Sequence, residues 1–129
     1  MKILVDTHAI LWWLAGDERL SVRARKILED SANQRLVSVA SLWEIAIKMS
    51  AGRLPADGLT LRTIAGHLKD QEFAVLPIRL EDLLRLEGLP WVHRDPFDRL
   101  IIAQAIEEGI PLLSADRILT QYAVETIWK

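Results

Sequence analysis

The chain has 129 residues, half of them apolar and 26% charged, which is the size of one domain with one core and excludes a second domain and intrinsic disorder. Sixteen Lys and Arg against eighteen Asp and Glu leave a net charge of -2, so no global basic field draws the protein to nucleic acid. With no cysteine, disulfides, thiolate chemistry and Cys-based metal sites are excluded, and a reducing cytoplasm fits. The apolar run from Ala9 to Ala15 falls far short of the roughly 18 residues that span a bilayer, and the start lacks the basic-then-apolar pattern of a signal peptide. The expectation is a cytoplasmic protein without a membrane.

Ile3 to Val5 is a short apolar run that stops at Asp6, as a buried strand would. Residues 8 to 15 are apolar nearly all round and end at Gly16, predicting a short buried helix. From Ser21, read as the N-cap, Val22, Ala24, Ile27 and Leu28 share one face of an amphipathic surface helix. Leu36 to Val39 reads as a second strand, and Ser41 opens a helix with Leu42, Ile45, Ala46 and Met49 at helical spacing, ended by Gly52 and Pro55. The stretch from Gly52 to Thr60 is the one loop expected to be mobile. Leu61, Ile64, Ala65 and Leu68 predict another helix, Phe73 to Leu76 a third strand, and Leu80, Leu83 and Leu84 a short helix ending at Gly88. Pro96 starts the most apolar helix, expected to be central and packed on both sides. Gly109 and Pro111 stop that helix, Leu112 and Leu113 make a fourth strand, and Val124 to Ile127 a last one after a helical turn. Strands alternating with helices in this way define a single α/β domain over 1–129, with a mainly parallel central sheet of four to five short strands and helices on both faces.

Ligands of such sheets bind at the carboxyl ends of the strands. Four acids fall there: Asp6 after the first strand, Glu44 in the first turn of the helix after the second, Asp98 at the opening of the central helix and Asp116 after the fourth strand. Each has a structural reading. Ser41 and Glu44 match a capping box, Glu44 also suits an ion pair with Lys48, Asp98 suits the helix dipole behind Asp95 and Pro96, and Asp6 and Asp116 suit N-caps. Taken together, the topology aims all four at one sheet edge. Carboxylates about 4 Å apart repel by roughly 4 kcal/mol at an effective dielectric near 20, so such a cluster must protonate or hold a cation. An all-oxygen site selects Mg²⁺ or Mn²⁺, and the reaction class such an ion serves is hydrolysis of phosphodiesters.

The segments that carry these acids are Ile3-Leu4-Val5-Asp6-Thr7-His8-Ala9, the helix start Ser41 to Glu44, His93-Arg94-Asp95-Pro96-Phe97-Asp98-Arg99 with the small-residue helix behind it, and Leu113-Ser114-Ala115-Asp116. In order and over essentially the whole chain they resemble the acidic motifs of PIN-domain proteins, more narrowly of VapC-type toxins. The Asp-Pro-Phe-Asp-Arg segment is the most specific part; Ser-x-x-Glu is weak alone. The resemblance implies a PIN-like fold, with Asp6, Glu44, Asp98 and Asp116 as catalytic and metal-holding residues, Asp6 and Asp98 the most direct. It further implies a Mg²⁺- or Mn²⁺-dependent endoribonuclease with an RNA substrate, a VapB-like antitoxin partner seated in a hydrophobic groove beside the acids, and a homodimer. The number of metal ions stays open at this level, and a catalytically silent binding module that holds a protein or RNA at the acidic pocket remains the alternative. A phosphoacceptor domain fits poorly, since Asp6 stands alone and the third strand ends in Pro77, and 129 residues leave no room for the arches of a structure-specific DNA nuclease.

Around the four acids, Asp95 reads as an N-cap ahead of any ligand role. Thr7 and Ser114 are equally suited to orienting the carboxylates and to forming turns. His8 and His93 are read as packed or capping rather than as acid-base groups, and His67 as solvated. Arg94, Arg99 and Arg117 divide evenly between clamping phosphate and neutralising their acidic neighbours. Trp12, Trp13 and Trp43 are expected in the core or an antitoxin groove, whereas Trp91, in a loop, is the best candidate to stack an RNA base.

Overall fold

A computed structural model describes residues 1–53 and 59–129. Ile3, Leu4 and Val5 are completely buried and form the centre of strand β1 (Lys2–Val5). Its neighbours are β2 (Gln34–Ser38) on one side and β4 (Leu112–Leu113) on the other, with β3 (Ala74–Leu76) beyond β2 and β5 (Thr126–Ile127) beyond β4. All four pairings are parallel, so the order β3-β2-β1-β4-β5 sets every strand's carboxyl end along one rim. Such a sheet must be covered on both faces, and alternate β1 residues divide between two cores. Ile3 and Val5 pack with Val37, Leu113 and the inner faces of α1 (Thr7–Ala15), α2 (Val22–Glu29), α3 (Val39–Ser50) and α4 (Leu61–Asp70). Leu4 packs with Leu36, Leu112 and α6 (Pro96–Glu108), which is itself overlaid by α5 (Leu80–Glu87).

The central place expected for the Pro96 helix is observed: seven successive residues, Arg99 to Ala105, are buried. Gly16 and Gly109 end α1 and α6 with φ of 64° and 65°, the left-handed conformation that favours glycine at a helix stop. The segment 117–121 is a 3₁₀ turn between β4 and β5. α3 ends at Ser50, before the expected stops at Gly52 and Pro55; Pro55 and the middle of the Gly52–Thr60 loop expected to be mobile lie outside the described residues.

Several boundaries differ from the sequence reading. β2 ends at Ser38, and Ser38, not Ser41, caps the next helix, its Oγ accepting from Ala40 N at 2.9 Å. Ser41 therefore lies inside α3 and Glu44 in its second turn, so the capping box Ser41–Glu44 does not form. The reason is tertiary. Ser41 is buried and its Oγ receives a hydrogen bond from Thr7 Oγ1 at 3.0 Å, a partner 34 residues away that no local pattern reveals. β5 is confined to Thr126–Ile127 rather than starting at Val124. In α1 only Thr7, Ala9 and Ile10 are fully buried; Leu11 to Leu14 are half-buried against the first core.

Candidate active site

Asp6 leaves β1 and immediately caps α1, its Oδ1 accepting from Ala9 N at 2.8 Å, while its own N–H donates to Leu113 O of the adjacent strand at 3.1 Å. β4 thereby delivers Ser114 and Asp116 to the same rim. Ser114 is buried, with its hydroxyl near enough to Asp6 to pull that carboxyl's pKa down, and its Oγ accepts from Asp116 N at 3.1 Å. Asp116 caps the 3₁₀ turn through Oδ1, which accepts from Ile118 N at 3.1 Å. Asp6 and Asp116 line a cleft of about 230 Å³ together with His8, Trp12 and Ala115. Asp98 stands in the first turn of α6, fixed by Asp95, whose Oδ1 accepts from both Phe97 N and Asp98 N. Asp95 is thus the N-cap expected of it.

Electrostatics tie these acids together. Burial raises the pKa of Asp6 above the usual carboxylate range, and the charge of Asp116 adds to the rise, against hydrogen bonds from Ser114 and the Ala9 N–H and attraction to His8. Asp98 is pushed up to about 6, first by desolvation, then by the charges of Asp95 and Asp6, against its hydrogen bond and attraction to His93. Asp6 is therefore within electrostatic reach of both Asp98 and Asp116. Glu44, 6% exposed, faces Lys48 one turn on, with Nζ donating to Oε2 at 3.0 Å. Its Oε1 is buried without a hydrogen-bond partner among the described residues. The Thr7–Ser41 bond holds the start of α3 against the start of α1, next to Asp6.

A pattern runs through the set. Asp98, Asp116 and Glu44 each commit one carboxylate oxygen to a protein group, which fixes the side chain, and leave the other without a protein hydrogen bond among the described residues. An all-oxygen donor set with mutual repulsion and a buried, unpartnered oxygen fits a hard divalent cation. Among the described residues no three acidic or imidazole side chains converge tightly enough to enclose an ion as they stand, and Glu44 and Asp98 lie outside the cleft lining.

Other sequence expectations resolve in both directions. Ser114 contacts a candidate carboxylate, whereas Thr7 bonds Ser41 instead. Arg99 neither neutralises Asp98 nor stands open to phosphate: it is buried, donating to Pro90 O at 2.8 Å, Tyr122 Oη at 3.1 Å and Leu89 O at 3.4 Å. Arg94 and Arg117 are exposed. Trp12 and Trp13 pack against the first core, but Trp43 is 54% exposed, with its ring against Phe97, so it is not a core residue. His67 is exposed, beside the Trp13 ring. His93 is the residue that sequence reasoning undervalued. Its Nε2 lies 3.2 Å from Asp98 Oδ2 and its Nδ1 2.7 Å from Tyr122 Oη, so it orients a candidate carboxylate. Tyr122 carried no signal in the sequence, because its role depends on the turn after β4 folding back over the loop before α6.

A parallel sheet with acids gathered at its carboxyl rim defines a nuclease-like α/β fold, and comparison with known proteins makes the assignment specific. The family model of the PIN domain matches residues 3–125. Ribonuclease VapC22 of Mycobacterium tuberculosis is 32% identical over 123 residues, covering 93% of this chain and 91% of its own. The chain therefore belongs to the PIN-domain family, among its VapC-type members. Its fold is similar to that in VapBC2 from Rickettsia felis bound to a DNA fragment from their promoter, with a TM-score of 0.73 at 13% identity and 100% coverage of both chains. It is also similar to DNA-bound VapBC from Salmonella typhimurium, with a TM-score of 0.70 at 16% identity over 98% of this chain and 97% of that one.

Proposed function

We propose that the protein is the toxin of a type II toxin-antitoxin pair, an Mg²⁺- or Mn²⁺-dependent endoribonuclease that acts in the cytoplasm as a homodimer and is silenced by a VapB-like antitoxin. Membership among VapC-type proteins supports the reading, as does the likeness to VapBC structures. No helix among the described residues is long and apolar enough to cross a membrane. The observation that carries the chemistry is the acid set itself: mutually repelling carboxylates from three separated segments, Asp6, Asp98 and Asp116, with Glu44 on a fourth keeping Oε1 buried and unpartnered among the described residues.

In this mechanism Asp6, Glu44, Asp98 and Asp116 would hold the cation, Asp6 and Asp98 as the most direct of the four. The chemistry it would supply there is polarisation of the phosphodiester and activation of the attacking water. The chain supplies fixed orientation. Asp95 sets the first turn of α6 and His93 holds one oxygen of Asp98, while Ser114 and the Ala9 N–H hold Asp6. Each carboxylate is thereby restrained through one oxygen before substrate arrives, which lowers the reorganisation needed on binding. Because the surroundings of Asp98 push its pKa up to about 6, protons would compete with a cation there below that pH.

The test is cleavage of mixed cellular RNA by purified protein with Mg²⁺, with Mn²⁺ and with EDTA, alongside Asp98→Asn. Metal-dependent cuts should fall by about 1,000-fold in the variant, the order expected when a group acting directly on the transition state is lost. Antitoxin binding should persist. Full cleavage by the variant would sink the four-acid site.

A further inference from the structure

Trp91 is the most exposed large apolar side chain among the described residues, at 78%. It lies in the segment that leads into α6 and Asp98, and packing does not explain its position. It has a mount nonetheless. The guanidinium of Arg99 lies over its ring, 4.0 Å from the centroid. Arg99 is itself immobilised, three of its five in-plane N–H donors given to the carbonyls of Leu89 and Pro90 and the hydroxyl of Tyr122. One indole face is thus backed by a buried, fixed cation while the side chain as a whole stays open to solvent.

The mount is continuous with the acids. The Tyr122 hydroxyl that receives Arg99 also bonds His93 Nδ1, and His93 Nε2 meets Asp98 Oδ2. A chain of direct contacts, Trp91–Arg99–Tyr122–His93–Asp98, therefore fixes the indole relative to a candidate catalytic carboxylate. An aromatic ring held in place before binding loses little entropy when a partner stacks on it. Every nucleobase offers a π face, and unpaired bases are commonly received on exposed aromatic rings.

We propose that Trp91 is a stacking platform for one unpaired base of a single-stranded RNA, held in register with the acid rim by Arg99. The proposal rests on the nuclease reading and narrows it. The platform contributes affinity and register without reading base identity, because stacking uses no hydrogen-bond pattern. Phosphate attraction is a separate contribution, left to exposed cations such as Arg94 and Arg117.

The experiment uses two short fluorescein-labelled probes, an RNA of randomised sequence and a ribose-phosphate strand of equal length without bases. Binding is read by fluorescence anisotropy in Mg²⁺, in an Asp6→Asn background that leaves the strand uncut. Trp91→Ala should bind the base-bearing strand about 5- to 100-fold more weakly, the size of one lost base–aromatic stack, with the base-free strand unaffected. Trp91→Phe should recover most of the loss, and the salt dependence should not change, since an indole neutralises no phosphate. Unchanged RNA binding overturns the proposal, and so does equal weakening on both strands, which marks a structural role. If Trp91→Ala instead weakens only capture of a protein partner, the indole is a protein contact and the platform fails. Metal-dependent cutting by the otherwise unsubstituted protein separates the two ideas: its absence sinks the nuclease reading, whereas cutting with Trp91→Ala at full affinity sinks the platform alone.

Discussion

Two acids on neighbouring helices, Asp82 buried and Asp98 half-buried, show opposite uses of a carboxylate. Asp82 of α5 is 1% exposed and sits beside a cation. Oδ2 accepts from Arg79 N at 2.9 Å and from Gln104 Nε2 at 3.4 Å, while Oδ1, buried without a hydrogen-bond partner among the described residues, faces the Arg79 guanidinium at 3.5 Å. Gln104 continues the network to Ser38 and to Pro77 O, tying α6 to the sheet and to the chain after β3. Asp98 of α6 sits instead among like charges, with His93 as its one partner of opposite tendency. The structural carboxylate is compensated by a neighbouring cation, whereas the carboxylate at the rim is left among charges of its own sign, which favours an added cation.

The largest effect that would sharpen this contrast is on stability. Asp82→Ala strips partners from Gln104 and from the Arg79 backbone, and should lower unfolding free energy by about 2–4 kcal/mol while sparing the RNA cleavage rate per folded molecule. Urea titration and cleavage assays on the same preparation check it; a fall in cleavage per folded molecule would break the distinction between the two acids.

A smaller effect of opposite sign is expected at the rim. The folded pKa of Asp98, about 6, lies above its unfolded value of about 3.9, so its contribution favours the fold below about pH 4 and is lost as pH rises through about 6. The raised pKa of Asp6 acts in the same direction. Metal-free protein should therefore lose stability across that window, and Asp98→Asn should exceed the parent by about 1–3 kcal/mol at neutral pH and by little near about pH 4. Thermal melts in EDTA across pH test this. Equal stabilities at neutral pH would remove the argument from repulsion.

The smallest effect concerns Lys48, which holds Glu44 Oε2 while Oε1 goes without a partner. Lys48→Met should destabilise metal-free protein by about 1 kcal/mol, more than an exposed helical pair would, because Glu44 is buried. Mn²⁺ should restore the loss and bind several-fold more tightly than to the parent, as calorimetry would read. Weaker Mn²⁺ binding would take Glu44 out of the cation site.

How much of this was legible in the sequence follows from the range of the interactions involved. β1, the central α6, the Asp95 cap and the Gly16 and Gly109 stops rest on neighbours within a few residues, and hydrophobic period and cap chemistry determined them. The acids' segments were also readable, since a parallel sheet exposes residues at its strands' carboxyl ends whatever the details. Ser41 was misread because its partner is Thr7 on another helix, and Arg99 because its partners are carbonyls of a loop folded against it. The apolar stripe of α5 was visible, but its exposure was not: Leu80 and Leu84 face solvent while Asp82 turns inward to Gln104. Only the tertiary structure decided which polar groups found donors, which of them stayed unpartnered, and that the ring of Trp91 is held from beneath. Those outcomes depend on desolvation and on partners brought from distant segments, which no local spacing encodes.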